Sequence, residues 1–444
     1  MLTLYATQPG AAQPQQVTRL PFLPDAAGEE NRLINLYPNI HYEALEGFGG
    51  AITDAAAFVY SQMSPAQRRE LLEHYFTPQG MNYQFVRIPM DSCDFSVSMY
   101  EAKSSPSQVF DFSRTEQYIL PMLRDAEAVA GRQLPVFLSP WSPPAYMKTN
   151  LSRIGGSLKK EYYEEYAHYL CTYIENFQRH GFRVARISLQ NEPKATQTWD
   201  SCVFSAQEEK EFLQRHMYPA LQKHGLGHVE IFVWDHNKER AFERAVSLID
   251  SDTAGMVSGV ACHWYSGDHF ESLSLLRSHF PNLKLVISES CIEFSNHDRK
   301  DAYHAATRLA HEIFGDLNHG VTAFYDWNVL LDQQGGPNHV GNYCLAPFLF
   351  DTQSHELQPQ LIQSYIAHFC HYLKPGAVRI GFSRFTSDLD TTAYQNPDGR
   401  IVVVMMNRSS SAMPVCLRLD ERICRLELPA NSISTAVVDA MIEA

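Results

Sequence analysis

Two carboxylic acids in this sequence stand where a buried strand runs out. Glu192 ends "RISLQNE" ahead of Pro193, and Glu289 ends "LKLVISE" ahead of Ser290 and Cys291. Branched and apolar residues precede each acid, so each arrives at the mouth of a desolvated strand. Pro193 stops the ladder and biases Glu192 toward an extended backbone. Two carboxyl groups flanking one bond suit glycoside hydrolysis: one protonates the departing oxygen, and the other attacks the anomeric carbon or activates water. The acids lie 289 − 192 = 97 residues apart, so the fold must bring them together. Glu293 competes with Glu289 for the second role, but it lies beyond the strand and reads as a loop residue. Cys291 reads as a small packing residue beside the acid.

Other residue types at strand ends fit the same chemistry. A sugar presents apolar C–H faces to aromatic rings and hydroxyls to amides and carboxylates. Trp141, Trp327 and Tyr265, with Asp94, Asn191 and Asn342, would make such a pocket. Any one tryptophan alone would read as core packing with its N–H satisfied; the case rests on convergence. Competing motifs fail on inspection. "GFGG" (47–50) has Ile52 where a dinucleotide fingerprint needs glycine, and reads as a tight strand-end turn. His368 and His371 sit one helical turn apart with no third ligand and no H-E-x-x-H. His263, Asp268 and His269 read as a hydrogen-bonded rim. A serine triad lacks its G-x-S-x-G elbow. No metal site and no cofactor is expected.

The elements that must position these residues repeat along the chain. Short apolar runs occur at 47–54, 84–95, 134–144, 184–193, 229–237, 256–266, 283–290 and 321–331. Helical patterns such as "SLKKEYYEEYAHYLCTYIENFQRHG" separate them. Strand and helix in alternation imply a parallel α/β sheet. Eight repeats predict a closed (β/α)8 TIM barrel over residues 46–375, with an open doubly wound sheet as the alternative. The strand ends decide between them. Asp54, Asp91, Asp94, Trp141, Glu192, Asp235, His263, Tyr265, Glu289, Trp327 and Asn328 all follow apolar runs, and barrel sites are built from strand C-terminal ends. In a barrel the ends of strands four and seven face each other across the mouth. Residues 376–444 change character to short alternating strands with the "NPDGR" hairpin turn; with residues 1–45 they predict an attached all-β sandwich.

Composition narrows the partners. With 444 residues, 45% of them hydrophobic, the chain can bury a large core. Its net charge of −14 and lack of a basic run argue against nucleic acid and anionic membrane surfaces. No segment approaches the ~18 apolar residues of a membrane span. Nine scattered cysteines without C-x-x-C, and a first thirty residues without a signal-peptide pattern, lead to the expectation of a cytoplasmic protein with reduced thiols. No pattern indicates an oligomeric state.

The motifs, taken in order, resemble a known family. "GFGGAITDAAA", "VRIPMDSCDFS", "LSPWSPPAYMKTN", "NEP", "VACHWY", "ISESC", "DWNVLLDQQGGPN" and "VVVMMNRSS" are similar to glycoside hydrolase family 30, in the branch of the lysosomal acid β-glucosidases. The resemblance covers nearly the whole chain. It implies a barrel with a β-sandwich built from both chain ends and a retaining double displacement without metal or cofactor. Glu192 matches the acid/base and Glu289 the nucleophile, with carboxyl groups about 5–5.5 Å apart. Asp94, Trp141, Asn191, Trp327 and Asn342 match contacts to the first sugar; Arg87, His263 and Tyr265 match residues that surround or rim the site. Glu289 and partial burial are expected to raise the pKa of Glu192. The loop carrying Trp199 looks shorter than in the mammalian enzyme, and "WDHNKE" is less acidic, so aglycone preference does not carry over. The implied activity is a β-glucosidase acting on small or intracellular β-glucosides. The alternatives are an endo-β-1,6-glucanase, β-xylosidase or β-fucosidase of the same family, or a non-catalytic sugar-binding relative. An aldolase or isomerase barrel would want a strand-end lysine or a phosphate-binding glycine turn, and neither is apparent.

Overall fold

The eight apolar runs form eight strands: β1 Gly47–Ala51, β2 Phe85–Met90, β3 Val136–Pro140, β4 Val184–Ser188, β5 Glu230–Asn237, β6 Gly259–His263, β7 Lys284–Glu289 and β8 Ala323–Asp326. In the computed structural model, which describes residues 1–10 and 14–440, neighbouring strands pair in parallel and β8 closes back on β1. Helices between the strands make this register possible, because parallel neighbours need a long crossover. The helix Tyr163–Arg179 buries Tyr166, Leu170, Tyr173, Ile174 and Phe177 along one stripe. It stops ahead of Gly181, whose φ of 90° suits a residue without a side chain.

Inside the barrel a period of two decides what each strand offers. Phe85, Phe137, Val286 and Tyr325 pack with Phe232, Ala261 and Ala323 into an apolar floor. Phe85 lies 4.5 Å from Tyr325 and Phe137 5.3 Å from Phe232, ring centre to ring centre. Two residues further along four of these strands come Arg87, Ser139, Ser288 and Trp327, all buried. The interior therefore changes from apolar to polar within one pleat, toward the strand C-terminal ends.

Strand β5 departs from that period, and the departure shapes the site. Ala261 of β6 pairs with Trp234 while Cys262 pairs with His236, so Asp235 is an extra residue, a β-bulge. Trp234 and Asp235 absorb it with φ of 76° and 47°. Such left-handed backbone costs a residue with a side chain about 1–3 kcal/mol. The carboxylate of Asp235 accepts hydrogen bonds from Arg87, Ser139 and Ser188. A second bulge falls on β7, where His263 pairs with Glu289 and Ser288 is extra.

Strands from both chain ends build the β-sandwich. Leu2–Thr7 pairs with Ser432–Val438, and Leu33–Ala44 pairs with Val378–Arg384, around Leu4, Ile34, Val403 and Leu417. The "NPDGR" turn joins Leu389–Gln395 to Ile401–Asn407, with Gly399 at φ 81°. His368 bonds Thr435 and Thr7 across this junction while His371 contacts the Gly80 carbonyl, so the two share no ligand position. Among the described residues, no helix is long and apolar enough to cross a membrane.

Just beyond β5, Lys238 is fully buried and its ammonium meets Glu312 and, at 3.0 Å, Asp316 of the helix Ala302–Asn318. This pins the end of β5 to the barrel wall. Removing the cation strands two buried carboxyl groups. Lys238→Met is expected to lower unfolding stability by about 3–5 kcal/mol, read as a lower urea midpoint; an unchanged midpoint would contradict this role.

Candidate active site

Arg87, inward on β2 and fully buried, is the centre of the polar layer. One terminal nitrogen donates to Glu289 Oε2 at 2.5 Å; the other donates to Asn191 Oδ1 at 2.8 Å, Asp235 Oδ2 at 3.0 Å and Ser139 Oγ at 3.1 Å. Its guanidinium also lies 4.9 Å from the Trp141 ring centre and 5.5 Å from that of Trp327. A planar fork can serve this many partners; an ammonium cannot. Burial pushes the Asp235 carboxyl up, but Arg87 and His263 override it and hold it well below the usual carboxylate range.

Glu289 ends β7 with its other oxygen accepting from the Tyr265 hydroxyl at 2.9 Å. Both carboxylate oxygens are thus aimed before any ligand arrives. Glu192 reaches the same cavity by a different route. Its backbone is left-handed, φ 48°, not extended as Pro193 suggests. The Glu192 N–H donates to the Asp235 carbonyl at 2.9 Å, and its own carbonyl accepts from Ala195 at 2.9 Å. This turn outweighs the local preference before proline and curls the side chain inward. Gln197 donates to one carboxylate oxygen at 3.2 Å. The other oxygen faces His263 Nδ1 at 3.2 Å and His236 Nδ1 at 3.6 Å.

Those imidazoles reverse the expected pKa shift of Glu192. Burial alone would raise it, but His263 and His236 pull it below the ordinary carboxylate value. Burial lowers His263 in turn, yet Glu289, Asp235 and Glu192 around it carry the imidazole up to about 9. Asp94 shows the opposite balance. Burial and the charge of Glu289 push it well above the carboxylate range, against Asn342, which donates to it at 3.2 Å.

One cavity of about 190 Å³ brings the strand ends together. Of the residues expected from sequence, Asp94, Trp141, Asn191, Glu192, Tyr265, Glu289, Trp327 and Asn342 line it. Arg87 and His263 lie behind that lining, both fully buried. Trp141 and Trp327 stack on each other at 5.4 Å and 17°, so one face of each is taken within the protein. Trp199 sits at the lining beside Gln197. Sequence reasoning missed His236, Asn237 and Gln197, and misplaced Glu293. That residue lies in a two-residue strand, Ile292–Glu293, paired with Cys344–Leu345, and lines the cavity. His236 followed the polar end of "VWDHN", which was a usable signal. Cys291 is buried with its sulfur 2.9 Å from that of Cys344, and burial raises both thiols.

Donor atoms of Glu192, His236 and His263 lie within 4.8 Å of one another, a set that could hold a metal ion. Asp268 and His269 are elsewhere: Asp268 contacts His311 at 3.3 Å and His269 the Ser266 carbonyl at 3.3 Å. A larger cavity, about 430 Å³, opens at the other end of the barrel. Its carboxylates Glu46 and Glu230 are tied to Arg186 and Lys284, which leaves no free acid pair there.

This geometry agrees with what the chain is similar to. Residues 45–373 match the Glycosyl hydrolase family 30 TIM-barrel domain and residues 376–436 the Glycosyl hydrolase family 30 beta sandwich domain. Lysosomal acid glucosylceramidase of Mus musculus is 31% identical over 408 residues, covering 87% of this chain and 79% of that protein. An endo-1,6-beta-D-glucanase of Neurospora crassa is 25% identical over 394 residues, 84% of this chain and 80% of that one. The crystal structure of SrfJ from Salmonella typhimurium superposes with a TM-score of 0.94 at 33% identity, covering 98% of this chain and 99% of that one. Barrel, sandwich and paired acids at one mouth meet in a single assignment: the chain belongs to glycoside hydrolase family 30 and is a hydrolase of β-glycosidic bonds.

Proposed function

We propose that the protein is a retaining, exo-acting β-glucosidase for small β-glucosides, with Glu289 as nucleophile and Glu192 as acid/base. The observation that carries this reading is the shared cavity. Glu289, aimed by Arg87 and Tyr265, and Glu192, aimed by its left-handed turn, line the same space of about 190 Å³. That space is below the ~300–1,000 Å³ of typical ligand sites. It suits one sugar ring, and it favours removal of a terminal residue over cleavage within a polymer. The match to a glucosylceramidase supports glucose as the glycone. Nine free, buried cysteines suit a reducing compartment.

Hydrolysis then proceeds in two displacements. Glu289 attacks the anomeric carbon, the bond to the leaving oxygen breaks, and that oxygen takes a proton from Glu192. His263, 3.2 Å from Glu192, is the place with which that proton is exchanged. Formation of the ester removes the negative charge of Glu289, and Arg87 remains neutralised by Asp235. Glu192 next deprotonates a water molecule, which attacks the anomeric carbon and releases Glu289. Asp94, with Asn342 on one oxygen, and Asn191 meet the sugar hydroxyls.

The first test is turnover of p-nitrophenyl β-glycosides. The β-glucoside is expected to react fastest, and the first-formed sugar, followed by proton NMR, to be the β-anomer. Release of oligosaccharides from a β-1,6-glucan with no turnover of the aryl glucoside would favour endo action instead. Glu192→Gln is expected to lose about 10²–10⁴-fold in kcat/KM on alkyl glucosides and much less in kcat/KM on p-nitrophenyl glucoside, whose leaving group needs little protonation in the first displacement. Equal losses on both would contradict the acid role. Arg87→Lys is expected to cost roughly 10²-fold in kcat through a misaimed nucleophile. Kinetics with KM changed and kcat unaltered would contradict that.

A further inference from the structure

We propose that Glu192, His236 and His263 form a three-ligand site for a divalent transition-metal ion such as zinc(II), whose occupancy switches hydrolysis off. The distances are the first support. Ligands ~2.0–2.1 Å from a tetrahedral zinc stand about 3.4 Å from one another. Glu192 Oε1 is 3.2 Å from His263 Nδ1 and 3.6 Å from His236 Nδ1, and all three donors lie within 4.8 Å of one another, so seating the ion requires the two imidazoles to close toward each other.

The chemistry of each donor adds to this. His236 Nδ1 is buried and makes no hydrogen bond, an open lone-pair position that a metal would satisfy. His263 Nε2 contacts Asp235 Oδ1 at 3.1 Å, and Asp235 is locked by Arg87 and by Ser139 and Ser188. A carboxylate behind a ligating imidazole orients it, the usual arrangement around protein-bound zinc, and the metal takes the place of the proton on His263 Nδ1, which leaves to solvent. Two imidazoles and one carboxylate favour zinc, copper or nickel over magnesium and calcium. Glu192 and His236 line the cavity, so the fourth position opens where the sugar binds. Three protein ligands and one open position are the form of an exchangeable site.

The consequence for catalysis rests on the proposed role of Glu192. A carboxylate oxygen bound to zinc cannot hand a proton to a leaving group, and the ion occupies the space beside the sugar. Metal and substrate therefore exclude each other.

The test pairs calorimetry with kinetics on the full chain, freed of metal by a chelator. Zinc chloride is titrated into the wild type, His236→Ala, His236→Gln and, as a control for other histidines, His297→Ala. One saturable site is expected in the wild type and in His297→Ala, with at least tenfold weaker binding in both His236 variants. Zinc should raise KM for a β-glucoside at the concentration that half-fills the site, and chelator should restore it. Absence of saturable binding, or binding unchanged in both His236 variants, would overturn the site. Binding as expected without an effect on KM would overturn the switch. His236-dependent binding in a protein that hydrolyses no β-glucoside would support the site and count against the glucosidase reading alone.

Discussion

A single buried guanidinium sets the conditions for everything at the barrel mouth. Arg87 stands where the apolar floor gives way to carboxylates, and it is the positive charge in contact with both Asp235 and Glu289. Taking such charges out of water is expensive, and a buried ion pair is weak evidence for stability. Its value here is positional. Arg87 joins β2 to the ends of β4, β5 and β7 through Asn191, Asp235 and Glu289. Glu289, and Asn191 next to Glu192, are thereby tied to the barrel wall, as a preorganised site requires.

The bulge on β5 is the second condition. Without an extra residue at Asp235, the period of two would aim a neighbouring side chain at Arg87. The left-handed turns at Trp234, Asp235 and Glu192 cluster at one edge of the mouth. That edge carries the Glu192 carboxylate, the two imidazoles beside it and the backbone bond from Glu192 to Asp235. Strain concentrated at a functional edge is held by the packed barrel around it.

Much of this was legible in the sequence, for a physical reason. Parallel strands buried on both faces read as continuous apolar runs, so β1 to β8 announced themselves, and the polar residues that ended them marked the site. Glu192 and Glu289 stood out because a carboxylate after a buried run has few structural uses. What stayed hidden depends on contacts distant in sequence. Pro193 predicts extended backbone at Glu192, yet the bond to Asp235 decides otherwise. An acid beside an acid predicts a raised pKa, yet His236, brought near by a bulge no pattern reveals, helps lower it. Trp141 and Trp327, read as two sugar platforms, stack on each other. Glu293 reaches the cavity through a two-residue strand too short to leave a period.

The central claim is that the carboxylate gripped by Arg87 becomes covalently bonded to the sugar. Incubation with a 2-deoxy-2-fluoro-β-glucoside bearing a good leaving group, followed by mass spectrometry of the digested protein, tests it directly. The account predicts one fluoroglucosyl group per chain, carried on Glu289. A label on Glu192 or Glu293, or full turnover with no labelled intermediate, would contradict it.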